Sequence, residues 1–231
     1  MQLKNAIVFI TGANRGLGRA FAEAALAAGA AKVYAAARNP ASIDLPGVIP
    51  VALDVTDPAQ VDAAAASCTD VTLLVNNAGI SLGGQVLADD GLDKARAELD
   101  ANLFGPWLMA RAFAPALKAN GGGAIVNVLS VLSWLSFPSV ATYSVSKSAA
   151  WALSNGLRNE LREQGTQVTS LHVGYMDTDM TRGLDAPKAS PAQVARITLE
   201  GVEAGAFEVL ADEISRQVKG SLSTSTPAYA S

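Results

Sequence analysis

The chain has 231 residues, a formal net charge of −4, half its residues apolar and 16% charged, which suits one packed domain over 1–231 and excludes a largely disordered chain. Its 17 Lys and Arg are outnumbered by 21 Asp and Glu and form no cluster, so nucleic acid is not an expected partner: phosphate binding needs a concentrated basic face. A single cysteine, Cys68, gives no internal disulfide framework and fits a reducing, cytoplasmic setting; no run of 18 apolar residues offers a membrane span.

Short β-branched runs alternate with longer Ala-rich segments. The first run, 6–10, follows Met1-Gln2-Leu3-Lys4-Asn5 and lacks the length and cleavage site of a signal peptide. It ends in Thr11-Gly12-Ala13-Asn14-Arg15-Gly16-Leu17-Gly18, and a helix over 16–28 follows, stopped by Gly29 at a C′ position. Strands are predicted at 32–37 and 48–53. Asp57 then reads as an N-cap with Pro58 at N1, opening a helix before the next strand at 71–75. A helix over 93–119, kinked or divided by Pro106 and Pro115, leads to a strand at 124–129. A helix over 142–163, a strand at 167–172, a second cap-and-proline pair at Ser190-Pro191, and a strand at 207–210 complete the order. Residues 221–231 read as a loosely held polar tail. Strands alternating with helices, several strands being apolar throughout, predict an α/β fold: a doubly wound parallel sheet of about seven strands flanked by helices.

Glycines at the first strand-to-helix junction permit a tight turn and let backbone N–H groups approach a pyrophosphate, with the helix dipole adding to the attraction. An ordinary Gly-rich turn is the plain alternative, weakened by the position of this one. At the end of the second strand, where NAD-binding domains carry an acid for the ribose 2′-hydroxyl, the chain reads Val33-Tyr34-Ala35-Ala36-Ala37-Arg38. With no carboxylate there, and with Arg15 and Arg38 both suited to forked hydrogen bonds with a dianion, the expected cofactor is NADP(H). Solvated surface charge is the competing reading for each arginine.

Ser130 follows the fifth strand, Tyr143 stands thirteen residues later, and Lys147 lies at i+4 from Tyr143 on the same helix face. A free phenol, with a pKa of ~10, transfers protons poorly at neutral pH, and a neighbouring ammonium is expected to lower that value. Ser130 can then hydrogen-bond the oxygen that Tyr143 protonates.

The Gly-x-x-x-Gly-x-Gly spacing, Asn76-Asn77-Ala78-Gly79, Ser130 and Tyr143-x-x-x-Lys147 together resemble the short-chain dehydrogenase/reductase family, in its single-domain branch with a Rossmann-type fold. The resemblance runs over about residues 6–210. It implies a cofactor site built from Gly12, Asn14, Arg15, Gly16, Leu17 and Gly18, with Arg38 beyond them. Asp54 and Val55 then meet adenine, and Asn77, Ala78 and Gly79 line the ribose. It also implies Asn102 as a fourth catalytic position, its backbone holding a water that links Lys147 to solvent. After the sixth strand it implies nicotinamide contacts from Gly174, Met176 and Thr178, beside those of Tyr143 and Lys147. Val173 stands where the family usually has proline, which leaves the path of that loop open.

Leu132, Trp134, Phe137, Tyr175, Met180 and Leu184 are expected to form an apolar substrate pocket, and hence to favour a hydrophobic ketone, aldehyde or secondary alcohol. The expected activity is hydride transfer between carbonyl and alcohol. A dehydrogenase working in the oxidative direction and a non-catalytic dinucleotide sensor or scaffold are the alternatives; the complete Ser130–Tyr143–Lys147 group argues against the sensor. A homodimer or homotetramer is implied by resemblance alone, and residues 149–152 could serve either an interface or the core. His172 is expected to be structural, with no metal site, and Cys68 to be a packing residue. Asp89, Asp90, Asp93 and Glu98 are expected to be a solvated helix start.

Overall fold

Side-chain alternation along β1 (Ile7–Thr11) creates two layers: Val8 and Ile10 point into one apolar core and Phe9 into the other. The computed structural model describes residues 1–230, and these hold seven strands. After β1 come β2 (Lys32–Ala37), β3 (Ile49–Ala52), β4 (Leu73–Asn76), β5 (Ala124–Val128), β6 (Gln167–His172) and β7 (Glu208–Leu210). All neighbours pair parallel, in the order β3-β2-β1-β4-β5-β6-β7. The order in which strands are added reverses between β1 and β4, so the carboxyl ends of those strands open a crevice where a ligand can enter. β3 lies at an edge, where Pro50 removes a donor at least cost.

Helices α1 (Gly16–Ala27) and α6 (Pro191–Glu203) cover one face, where Phe21, Val194 and Leu199 join Val8, Ile10 and Val126. Helices α2 (Pro58–Ser67), α4 (Gly105–Ala119) and α5 (Ala141–Glu160) cover the other, where Phe113, Leu117 and Leu157 meet Phe9, Leu74 and Ile125. Gly29 adopts φ +83° and closes α1, with Ala30 N–H donating to Ala25 O and Gly29 N–H to Leu26 O. Asp57 caps α2 by accepting from Ala59 and Gln60. Ser190 precedes Pro191 as expected, but its side chain makes no cap bond.

The long helix expected over 93–119 is three pieces: α3 (Gly91–Leu99), a π-helical turn over Asp100–Phe104, and α4. Pro106 sits in the first turn of α4, directly after the π-helical turn, and Pro115 lies inside that helix. The expected polar tail begins with the end of α7 (Glu213–Ser221), and Leu222 and Ala228 pack on a satellite core of Val131, Trp134 and Val218. Ser231 of that tail lies outside the described residues.

Candidate active site

A glycine-rich turn opens the site. Gly12 takes φ +65° and Gly16 φ +53°, and a Cβ on Gly18 would fall 2.1 Å from Gly12 O and 2.6 Å from Asn77 Nδ2. Asn77 braces this turn, its Nδ2 donating to Thr11 O at 2.8 Å and to Gly12 O at 3.2 Å. Thr11 Oγ1 in turn accepts from the N–H groups of Asn77 and Ala78. Residues assigned to the cofactor by the sequence thus have a second task, which is to hold the loop's shape.

The turn lines a cavity of about 980 Å³ at the carboxyl ends of the strands. Around that cavity the structure gathers Gly12, Asn14, Arg15, Gly16, Leu17, Arg38, Asp54, Val55, Asn77, Ala78, Gly79, Ser130, Tyr143, Lys147, Gly174, Met176 and Thr178. Gly18 stands one step behind the wall. The cavity suits a dinucleotide: Arg15 caps α1 without a side-chain bond and the first turn holds no acid, so its N–H groups and dipole face an anion unopposed. Arg38 is exposed at the same wall, beside Asn39 and Ser42. Within the described residues no group of three His, Cys, Asp or Glu is arranged for a metal, and no helix is long and apolar enough to cross a membrane.

The helix carrying Tyr143 and Lys147 is locked to the sheet by a buried amide ladder. Asn76 Nδ2 donates to Asn127 Oδ1 at 2.9 Å, Asn127 Nδ2 to Ser154 Oγ at 2.9 Å, and Ser154 Oγ to Ala150 O at 2.8 Å. The end of β5 thereby grips α5 through Asn127 with a polar bond rather than a sliding apolar contact, and Asn76 at the end of β4 braces Asn127. Lys147 Nζ donates to Val128 O at 2.8 Å and lies 5.6 Å from the centre of the Tyr143 ring.

The electrostatics depart from expectation. Burial raises the Tyr143 phenol above its ordinary value, the negative charge of Glu98 raises it further, and the approach of the Ser130 side chain works the other way. Burial also pulls Lys147 down to about 8. Desolvation disfavours the charged form of both groups. Tyr143 is therefore held in its neutral form.

Ser130 is pre-aimed. Its Oγ accepts from Leu132 N at 3.1 Å, and its own O–H is the donor on the Tyr143 side. Asn102 occupies the π-helical turn and uses its side chain on both edges of Ile80, accepting from its N–H and donating to its carbonyl at 2.9 Å each, and donating also to Ser146 Oγ. Gly79 fits because a Cβ there would lie 2.8 Å from Asn102 Oδ1.

Of the six residues expected in the substrate pocket, Met180 lines the cavity. Phe137, Tyr175 and Leu184 are exposed outside its wall. Leu132 and Trp134 turn into the satellite core, where the Trp134 ring stacks on His172 at 3.9 Å and buries more surface than a pocket wall would allow. Glu98 is a further correction: it is fully buried rather than solvated, its Oε1 accepting from Leu82 N at 2.7 Å. Asp90 and Asp93 do face solvent, paired with Lys94 and Arg96. Asp179 and Arg182 line the cavity unanticipated; the only sequence signal for them was charge in the segment after β6.

The family model for short chain dehydrogenases matches residues 6–189. A short chain dehydrogenase from Burkholderia cenocepacia, solved in complex with NADP, is similar at 40% identity and a TM-score of 0.93, covering 97% of this chain and 95% of that one. The short chain dehydrogenase tazN of Aspergillus terreus is 36% identical over 88% of this chain and 47% of its own length. The 1-deoxy-11-beta-hydroxypentalenate dehydrogenase of Streptomyces exfoliatus is 32% identical over 92% of this chain and 82% of its own. The chain thus spans about half the length of the fungal relative. Glycine turn, parallel sheet and the Ser130–Tyr143–Lys147 cluster all agree with the match: the chain belongs to the short-chain dehydrogenase/reductase family.

Proposed function

We propose that this chain is an NADP(H)-dependent reductase of ketones or aldehydes, with Tyr143 as the proton donor. The observation that carries the reading is the meeting of Ser130, Tyr143 and Lys147 on the wall of the same cavity that the glycine turn opens. When bound, the reduced dinucleotide would supply the hydride that adds to the carbonyl carbon.

Ser130 turns its O–H from Tyr143 to the carbonyl oxygen and orients it. Tyr143, neutral through burial, gives its phenolic proton to that oxygen, and the product is an alcohol. Lys147, anchored on Val128 O, places its charge beside the phenolate so formed and can return a proton to it. Asn102 fixes the segment at Ile80 against α5 through Ser146. Preference for the 2′-phosphorylated dinucleotide is supported by Arg15 and Arg38 at the cavity wall and by Ala37 where an acid would select NAD(H).

The substrate class rests on the apolar side chains near the mouth, Met180 on the wall and exposed Phe137, Tyr175 and Leu184 beside it, which suit a hydrophobic carbonyl compound. Exposed Phe104 and Trp107, stacked 6.5 Å apart on and beside α4, support a homodimer or homotetramer, tested by light scattering. Cytoplasmic placement is part of the same reading, supported by a single cysteine, Cys68, which is buried and in no disulfide. Oxidation of an alcohol is the second reading, favoured by the dehydrogenase name of the Streptomyces relative.

The test is consumption of NADPH against a panel of carbonyl compounds. Turnover with NADPH, its loss in Tyr143→Phe with cofactor binding retained, and a shift towards NADH in Arg38→Asp are expected. Undiminished turnover in Tyr143→Phe would overturn the mechanism, and equal or tighter binding of NADH by the unmodified protein would overturn the cofactor.

A further inference from the structure

Behind Ser130, on the side away from the cavity, lies a polar cluster that the proposed reaction does not use. His172 ends β6 fully buried, its Nδ1 3.1 Å from the Ser130 carbonyl. Since a carbonyl only accepts, Nδ1 carries the hydrogen of that bond. The same carbonyl accepts from Ser133 N at 3.0 Å, so both its lone pairs are engaged.

The imidazole is itself held from the far side. Its ring stacks on Trp134 with a 20° interplanar angle, and its Nε2 faces Glu208 Oε1 at 3.7 Å. Glu208 is gripped by Lys219 at 2.8 Å and by Trp151 Nε1 at 3.1 Å. Lys219 Nζ lies 4.9 Å over the Trp134 ring and 5.2 Å over that of Trp151. His172 holds Glu208 down to about 2, with Lys219 adding to the effect, so the carboxylate stays charged throughout the working range.

We propose that His172 is a positioning residue for Ser130, its Nδ1–H fixing the Ser130 carbonyl while Trp134, Glu208 and Lys219 fix the imidazole. Ser130 follows the end of β5, and its Oγ direction depends on the turn at 131–133. The backbone bonds Leu129 N to Leu171 O and Val131 N to Val173 O secure its neighbours, and the histidine secures the serine's own carbonyl. β7 and α7, remote in sequence from the cavity, thereby become part of the catalytic frame. The inference rests on the proposed role of Ser130 as hydrogen-bond donor to the reacting oxygen.

Two variants separate positioning from filling. His172→Phe keeps an aromatic ring to stack on Trp134 and removes the donor; His172→Asn keeps an N–H at the Nδ1 position and removes most of the ring. We expect His172→Phe to lower kcat roughly tenfold to a hundredfold, the scale of a misplaced catalytic group, with the NADPH Kd unchanged. His172→Asn is expected to recover most of kcat despite a lower melting temperature. Hydrogen exchange of the 130–134 amides, read by mass spectrometry, needs no turnover: protection is expected to fall in His172→Phe and to persist in His172→Asn. Wild-type kcat and protection in His172→Phe, or equal losses in both variants, would overturn the proposal. A wild-type protein that turns over no carbonyl, with the exchange pattern as expected, would overturn the proposed reaction and leave the His172–Ser130 anchor standing.

Discussion

Arg15 donates to Asp179 at 2.9 Å, tying the glycine turn to the segment after β6, and Asp179 is shared with Arg182. All three side chains line the cavity. Arg15 is therefore not idle before a dinucleotide arrives: a phosphate that recruits it must compete with a carboxylate.

Asp179→Asn removes that competitor. The pair is exposed, and such pairs contribute ~0.2–1 kcal/mol, so NADPH binding is expected to tighten by at most about fivefold, less at high salt. Fluorescence titration checks it. Weaker binding would mean that the Arg15–Asp179 bridge closes over the ligand rather than competing with it.

Glu98 and Lys147 set separate pH limits. The proposed carbonyl reduction would need the ammonium of Lys147 and neutral Tyr143, so kcat is expected to fall as pH rises through about 8, where Lys147 loses its proton. Alcohol oxidation needs the phenolate, which the charge of Glu98 opposes. Glu98→Gln keeps an oxygen for Leu82 N–H and removes the charge, so the alkaline rise in oxidation moves to lower pH. Paired pH–rate profiles of wild type and variant measure both limbs; an unmoved oxidation limb would remove Glu98 from the electrostatics of Tyr143.

Gly18 tests the cradle. Its missing Cβ would overlap the Gly12 carbonyl, a backbone atom with no rotamer to yield. Gly18→Ala is expected to cost about 1–3 kcal/mol through overpacking and to abolish dinucleotide binding. Thermal melts with and without NADPH report both effects, and a ligand-induced rise equal to wild type would contradict the assignment.

Glu208 makes stability depend on acid. Its folded value, about 2, lies below the ordinary 4.5, so its contribution is complete above 4.5 and is lost as pH falls from there through about 2. Glu208→Gln is expected to flatten that stretch of the stability curve, measured by urea unfolding between pH 5 and pH 2.5.

Strand and helix order was legible in the sequence because parallel strands buried on both faces are apolar runs, and because Gly29, Asp57 and Pro58 mark ends by local chemistry. Long helices were less so. Residues 93–119 carry one apolar period, yet the π-helical turn at Asp100–Phe104 divides them, with Asn102 bonded to Ile80, twenty-two positions earlier. Glu98 shows the same limit. An acidic residue near a helix start reads as solvated, and its burial follows from the return of the 80–84 segment over α3, a contact that no local pattern encodes.

The sequence by itself determined the glycine turn, the parallel sheet and the Tyr143–Lys147 pair, since each depends on φ, on side-chain periodicity or on i, i+4 spacing along one helix; Ser130 joined that pair through resemblance to the family. Tertiary structure alone decided which way the shared side chains face. Trp134 left the expected pocket for the ring of His172, Asn77 was taken up in bracing the turn, and burial rather than the neighbouring ammonium came to govern the Tyr143 proton. Those outcomes depend on desolvation and on partners far apart in the chain, and both exist only once the chain has closed around them.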